Sequence, residues 1–377
     1  MAGIYLHIPF CKQACAYCDF YFTTRLSLRE DFVSAILTEI ELQKNYFEKG
    51  TEIQSIYFGG GTPSLLSASA LELILSKLGS TFSVQANQEI TLEANPDDLT
   101  IDSLSNWYAL GINRISLGVQ SVEENDLRWM HRAHTAKQAL NSVDLIRSAG
   151  FENFTLDLIY GIPGSGMKGW EKNLDFLKSS EAPHFSAYAL TVEKRTRLYQ
   201  EIQLGKTSEP LEEEMIAQFL KLQEFAEFHN YEAYEISNYA RLGQRARHNS
   251  SYWYQQPYLG IGPAAHSFRV PQRMANLPNL NSYLENLSKR ELPNQEIETL
   301  SLQDQVNELI MTRLRLSEGL PKSAYAALAG HALEARCVDT LREFKQSGWL
   351  IEEPTHWKLS KYGRLQADGI SAALFWE

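Results

Sequence analysis

The chain has 377 residues, 44% of them hydrophobic and 21% charged, and a formal net charge of -11. That balance argues against broad nucleic-acid binding, which needs cationic surface to release phosphate counterions. Three of the four cysteines fall within eight residues, which argues against a disulfide scaffold, and no apolar run reaches the roughly 20 residues of a membrane helix.

The length favours one large catalytic domain with a smaller module. The opening MAGIYLHIPFC lacks the basic start and long apolar run of a signal peptide, so a reducing, cytoplasmic setting is expected, with peripheral membrane contact left open. Ile4 to Ile8 reads as a strand running into the cysteine loop. Arg29 to Phe47 has helical apolar spacing, with Ser27 and Glu30 as expected capping partners. Ile53 to Phe58 is a strand stopped by Gly59-Gly60-Gly61, and Leu65 to Leu78 is helical. The unit then recurs: strand Glu89–Glu93, helix Ser103–Ala109, strand Arg114–Gly118, helices Glu123–Met130 and Thr135–Ala149. Strand Thr155–Tyr160, helix Trp170–Leu177 and strand Phe185–Leu190 complete the series.

Strands alternating with helices at this tempo predict an α/β fold of parallel βα units, about six of them and fewer than the eight of a closed barrel. The fold class is therefore a partial (β/α)6 TIM-like barrel. Cys11, Gly59, Glu93, Gln120, Asp157 and Tyr188 all follow strands, so they should converge on one cleft at the carboxyl ends. Glu212 to Phe228 is an amphipathic helix. Tyr231–Ala240, His248–Trp253 and Tyr258–Phe268 read as aromatic-rich strands and loops. Short helices over Asp304–Arg315, Ser323–Leu328 and Asp339–Ser347, then small strands at Leu350-Ile351 and Trp357–Leu359, suggest a winged-helix-like module. The expected division is 1–240 for the barrel, 241–286 for an aromatic-rich connecting region and 287–377 for the C-terminal helical module.

The cysteines stand as Cys11-Lys-Gln-Ala-Cys15-Ala-Tyr-Cys18. Thiolates are soft ligands that suit iron–sulfur clusters and zinc. Four would saturate a 4Fe-4S cubane, whereas three leave one iron open to a further ligand. The alternative is a structural zinc with His7 or a distant residue as fourth ligand, but zinc sites usually add a second ligand pair further along, and none follows. Cys337, in the C-terminal helices, reads as a core cysteine.

CxxxCxxC with an aromatic before its last cysteine resembles the radical S-adenosylmethionine superfamily. The resemblance implies a cluster at Cys11, Cys15 and Cys18 whose open iron chelates S-adenosylmethionine, and whose electron cleaves it to methionine and a 5′-deoxyadenosyl radical. It covers nearly the whole chain. Tyr5-Leu-His7-Ile-Pro9-Phe10-Cys11 is similar to the opening of the coproporphyrinogen-oxidase-like branch, where the tyrosine packs by cofactor and cluster. By the same resemblance, Gly60, Gly61 and Thr62 form the glycine motif that lets backbone approach the methionine amino group. Glu93, Gln120, Arg132 and Asp157 are the polar contacts of S-adenosylmethionine, Arg128 being the rival to Arg132.

Within that branch, the resemblance favours the heme-chaperone group over the oxygen-independent oxidase that decarboxylates tetrapyrrole propionates. The oxidase places a cysteine where this chain has Phe20, which is counted here among the cofactor contacts, and it carries a long N-terminal extension. His248-Asn-Ser-Ser-Tyr252-Trp253 matches the HNxxYW motif of the chaperone group, which implies His248 as a heme ligand, with Arg241, Arg245 and Arg247 available to the propionates. The implied partners are heme, heme-accepting proteins including membrane-bound respiratory ones, and a reducing electron donor. Two alternatives stay open: the oxidase itself, and a protein that keeps its cluster for structure or regulation.

Overall fold

The structure, a computed structural model, describes residues 1–376. Six parallel strands lie side by side in chain order at its centre: β1 (Ala2–Ile8), β2 (Glu52–Gly60), β3 (Ser83–Ala94), β4 (Arg114–Gln120), β5 (Phe154–Tyr160) and β6 (His184–Ala189). Helices α1 (Arg29–Leu42), α2 (Ala68–Thr81), α3 (Ile101–Ala109), α4 (Glu124–Trp129), α5 (Ala136–Ser148) and α6 (Gly166–Ser180) connect them. The partial barrel expected from the strand and helix rhythm is therefore present. Capping boxes start α3 (Thr100 with Ser103) and α5 (Thr135 with Gln138), satisfying backbone donors that no helical carbonyl can reach. The expected Ser27–Glu30 cap does not form, because a 3-10 turn at Leu26–Leu28 runs straight into α1.

Each barrel strand carries two chemistries. Ile4, Leu6 and Ile8 of β1, Phe58 of β2, Leu92 of β3, and Ile115 and Leu117 of β4 are fully buried in the core shared with the helices. Side chains alternate across a strand, so the intervening residues face the barrel interior. They are mostly polar: Tyr5 and His7, Ser55 and Tyr57, Glu89 and Glu93, Arg114 and Ser116, Thr155 and Asp157, His184 and Ser186. Strand register stacks them in levels, with Gly3 beside Ser55 and Ser55 beside Glu89 near the amino ends.

The sheet does not close. After α7 (Arg197–Gln203) and α8 (Glu212–Phe228), two short strands, β7 (Glu232–Ala233) and β8 (Asn238–Ala240), add antiparallel beyond β6. At the other edge β1 pairs parallel with β9 (Tyr258–Ile261), followed by β10 (His266–Arg269), β11 (Gln272–Asn276) and β12 (Gln295–Thr299), for twelve strands in all. The segment read as aromatic connection thus extends the main sheet, and β12 carries that sheet past the expected boundary at residue 286. His248–Trp253, expected as strand or loop, lies in helix α9 (Arg247–Trp253). Its aromatics had suggested strand propensity, but burial against the barrel decides the conformation. A separate core begins at Val306 and includes Ile310, Tyr325, Cys337, Leu341 and Trp357. The expected hairpin there is Leu350–Glu352 paired with His356–Leu359, with a third short strand at Leu320–Pro321.

Candidate functional site

The cysteine loop leaves β1 and is pinned by backbone bonds before any ligand is considered. Cys11 N–H donates to Thr23 O (3.0 Å), Ala16 N–H to Met130 O (3.0 Å) and Leu198 N–H to Ala16 O (2.8 Å). All three thiols are half-buried and line one cavity of about 630 Å³ that runs into the barrel interior. Each has a polar neighbour. The Thr62 hydroxyl lies 3.6 Å from Cys11 Sγ and Arg132 Nη1 3.3 Å from Cys15 Sγ, while the Phe20 backbone amide counteracts the rise in the Cys18 pKa. Burial pushes the Cys11 thiol up and that of Cys18 to about 11, so a bound metal would have to displace those protons.

The soft donor set fits a three-thiolate cluster. Thr62 and Arg132 aim donors at the sulfurs of Cys11 and Cys15, as hydrogen bonding to cluster ligands requires. The fourth cysteine, Cys337, is buried in the C-terminal core. Among the described residues no three His, Cys, Asp or Glu side chains converge to hold a single metal ion.

Arg132 also donates to Gly118 O (2.9 Å) and contacts Asn95, and its Nε is buried without a partner. Arg128, the rival for this role, is exposed and paired with Glu124. Gln120 lines the cavity from the end of β4 with φ of 63°, a conformation that non-glycine residues adopt mainly at constrained sites. Glu93 accepts from the Tyr57 hydroxyl (2.7 Å) and the Gly60 N–H (3.1 Å). Burial outweighs both bonds and holds its carboxyl up at about 7. Asp157 accepts from Ser116 (3.0 Å), and burial likewise raises it. Gly61, Thr62, Tyr188, Phe20 and Phe22 complete the wall, with Phe20 72% exposed.

Gly60 has φ of +106°, and an added Cβ would lie 2.7 Å from the His7 ring. That ring cannot yield, because His7 Nε2 donates to Tyr21 O (2.8 Å) and Nδ1 accepts from the Tyr5 hydroxyl (3.2 Å). Gly60→Ala is therefore expected to lose about 1–3 kcal/mol. Denaturant unfolding checks this, and a variant as stable as the parent would refute the packing described.

Other expected residues lie elsewhere. Tyr5 does not line the cavity; it packs beside the stacked pair Tyr57 and His248, with centroids 6.1 and 6.4 Å away. His248 is 1% exposed, its Nδ1 is 2.8 Å from Ser55 Oγ and its Nε2 is 2.7 Å from the Tyr252 hydroxyl. Burial lowers its pKa to about 3. Both ring nitrogens have partners in this arrangement. The arginines are not at the cavity: Arg245 pairs with Glu232 and Glu318, Arg241 lies over Tyr231, and Arg247 donates to Asn87 O. Sequence reasoning missed Tyr17, Tyr57, Asn95, Ser116 and Asn249, all of which line the cavity. The signal for Tyr57 and Ser116 was the polar phase of their strands.

Comparison with known proteins places these features in context. The chain matches the Radical SAM superfamily over residues 5–177 and the HemN C-terminal domain over residues 300–365. It is 30% identical to the heme chaperone HemW of Bacillus subtilis across 100% of both chains. Identity to HemW of Escherichia coli is 31%, over 96% of this chain and 95% of that one. The crystal structure of Escherichia coli coproporphyrinogen III oxidase (HemN), described as a radical SAM enzyme, superposes with a TM-score of 0.86. It covers 99% of this chain and 90% of that one at 19% identity, a likeness of fold.

Proposed function

Since the chain belongs to the radical SAM superfamily, in its HemN/HemW-like branch and of the heme chaperone HemW type, we propose that it binds heme and passes it to acceptor proteins. What carries this reading is the likeness to HemW along the full chain, joined to three half-buried thiols at the mouth of a lumen cavity. Cys11, Cys15 and Cys18 would hold a 4Fe-4S cluster. Gly60, Gly61, Thr62, Glu93, Gln120, Arg132 and Asp157 would surround S-adenosylmethionine, with Tyr5 packed one layer behind them. When reduced, such a cluster supplies an electron to the sulfonium of that cofactor.

The protein's own residues do the positioning. Arg132 places positive charge beside the Cys15 sulfur. Thr62 orients toward Cys11, and the Gly60 turn lets Glu93 reach a backbone amide. Phe20 and Phe22 offer apolar surface at the cavity mouth, where a macrocycle face could rest. Among the described residues no helix is long and apolar enough to cross a membrane. Contact with membrane-bound respiratory acceptors and with the electron donor would then run through protein surfaces.

The test is anaerobic reconstitution with iron and sulfide, followed by heme titration and a parallel coproporphyrinogen assay. The expected result is saturable heme binding without decarboxylated product. Robust decarboxylation would replace the chaperone reading with the oxidase, and absence of heme binding would end it. His248→Ala, titrated in parallel, separates two roles. Heme binding retained by the folded variant assigns His248 to the scaffold, and its loss from a variant whose melting temperature is unchanged assigns the imidazole to iron.

A further inference from the structure

Helix α9 closes the amino-terminal end of the barrel from inside. The backbone N–H groups of Arg247 and His248 donate to the two Glu89 carboxylate oxygens (3.1 and 3.0 Å), and His248 reaches Ser55 on the neighbouring strand. Gly3, level with Ser55, leaves room for the imidazole, since a Cβ there would lie 3.1 Å from His248 Cε1. His248 is thus the peg that seats the helix.

We infer that Asn249 is the residue through which this plug meets a molecule in the lumen, accepting a hydrogen bond from an uncharged or cationic group. The directions of the neighbouring side chains set it apart. His248 points to Ser55 and Tyr252, and the Ser251 hydroxyl donates back to His248 O (2.6 Å), whereas Asn249 lines the cavity. The helix thus turns His248 to the wall and Asn249 to the lumen.

The surroundings define the chemistry that fits. Glu93 and Asp157 line the same cavity, along with Tyr57 and Tyr188. The lower cation, Arg114, is 1% exposed and bonded to Thr155 (2.7 Å) and Asn153. The cations that line the cavity are already engaged, Arg132 by Gly118 O and Asn95 and Lys12 by Asp97 and Asp98, which beside two carboxyls disfavours an anionic group such as a propionate. A group rich in donors suits the same wall, because carboxyl and amide oxygens all accept. Glu89, which seats the helix, and Glu93, which walls the cavity, lie four residues apart on one face of β3, about 13 Å along the strand. Asn249 lines the same cavity as the three thiols, so the lumen runs from the cysteine loop down to the plug. The inference rests on the reading above, which puts S-adenosylmethionine in this cavity; with the methionine end held at the thiols and the glycine motif, the donors would be those of its nucleoside end.

The experiment titrates S-adenosylmethionine calorimetrically into anaerobically reconstituted wild type, Asn249→Ala and Asn249→Asp, with melting temperatures recorded alongside. Alanine should weaken binding about tenfold without moving the melting temperature. Aspartate keeps an acceptor in the same space and should bind within about threefold of wild type. Alanine binding like wild type would overturn the inference, as would an alanine variant that fails to fold while the aspartate variant folds. Aspartate binding as weakly as alanine would show the amide to be a donor and would equally overturn it. A wild type that takes up no S-adenosylmethionine would instead defeat the underlying reading of the cavity.

Discussion

Cys15→Ala is expected to abolish the four-iron absorption spectrum of the anaerobically reconstituted protein, and with it the uptake of S-adenosylmethionine. The loop supplies three thiols, and the remaining cysteine is buried in a separate core with Leu333 and Leu341, so no sulfur can substitute. Among the described residues no cluster of His, Cys, Asp or Glu stands ready as an alternative metal site. The fold should survive the change. Cys15 is half-buried, and its loop is fastened through backbone bonds of its neighbours, Ala16 to Met130 and Leu198 to Ala16. Loss of spectrum with an unaltered melting temperature is therefore the signature. Cys337→Ala is the control: it should keep the cluster and lose only packing in the C-terminal core, about 1 kcal/mol. A Cys15→Ala protein that still assembled a full cluster would show that the thiols are not its ligands.

The barrel was legible because its signals are local. A strand of alternating residues followed by a glycine or cysteine, then a capped amphipathic helix, repeats often enough to give the parallel order of β1 to β6. The thiols form a dense motif that stands out in the sequence, whereas Arg132 was indicated only by the family resemblance; the structure brings it to within 3.3 Å of Cys15 Sγ. What remained hidden depends on pairing between distant segments. Nothing near Tyr258 says that β9 will pair with β1, more than 200 residues earlier in the chain. Likewise, His248-Asn249 gives no sign of which residue will face inward, because that depends on Glu89 and Ser55 receiving the helix. The polar phase of the strands was visible all along as Tyr5 and His7 or Ser55 and Tyr57 between apolar neighbours. Buried parallel strands usually read as continuous apolar runs, so this alternation was the available sign of a polar lumen.

Glu89→Ala is expected to destabilise the protein by about 3–5 kcal/mol, a large share of the roughly 5–15 kcal/mol that holds a typical domain together. Glu89 is 4% exposed and faces Arg114, 1% exposed, with 3.9 Å between the charged atoms. Its oxygens also take the first two N–H groups of α9, donors that no helical carbonyl can satisfy. Alanine would strand a buried guanidinium and two amides at once. Glu89→Gln keeps one acceptor and removes the charge, so it should cost less than alanine while still exceeding a surface substitution. The decisive comparison is the pair Glu89→Gln with Arg114→Met. If the charges depend on each other, the double variant will be more stable than either single one's loss would sum to, because neither ion is then left alone. Urea midpoints read this directly. Additive losses, or an alanine variant within about 1 kcal/mol of the parent, would mean that α9 is seated by its aromatic packing against Tyr5 and Tyr57 rather than by this carboxylate.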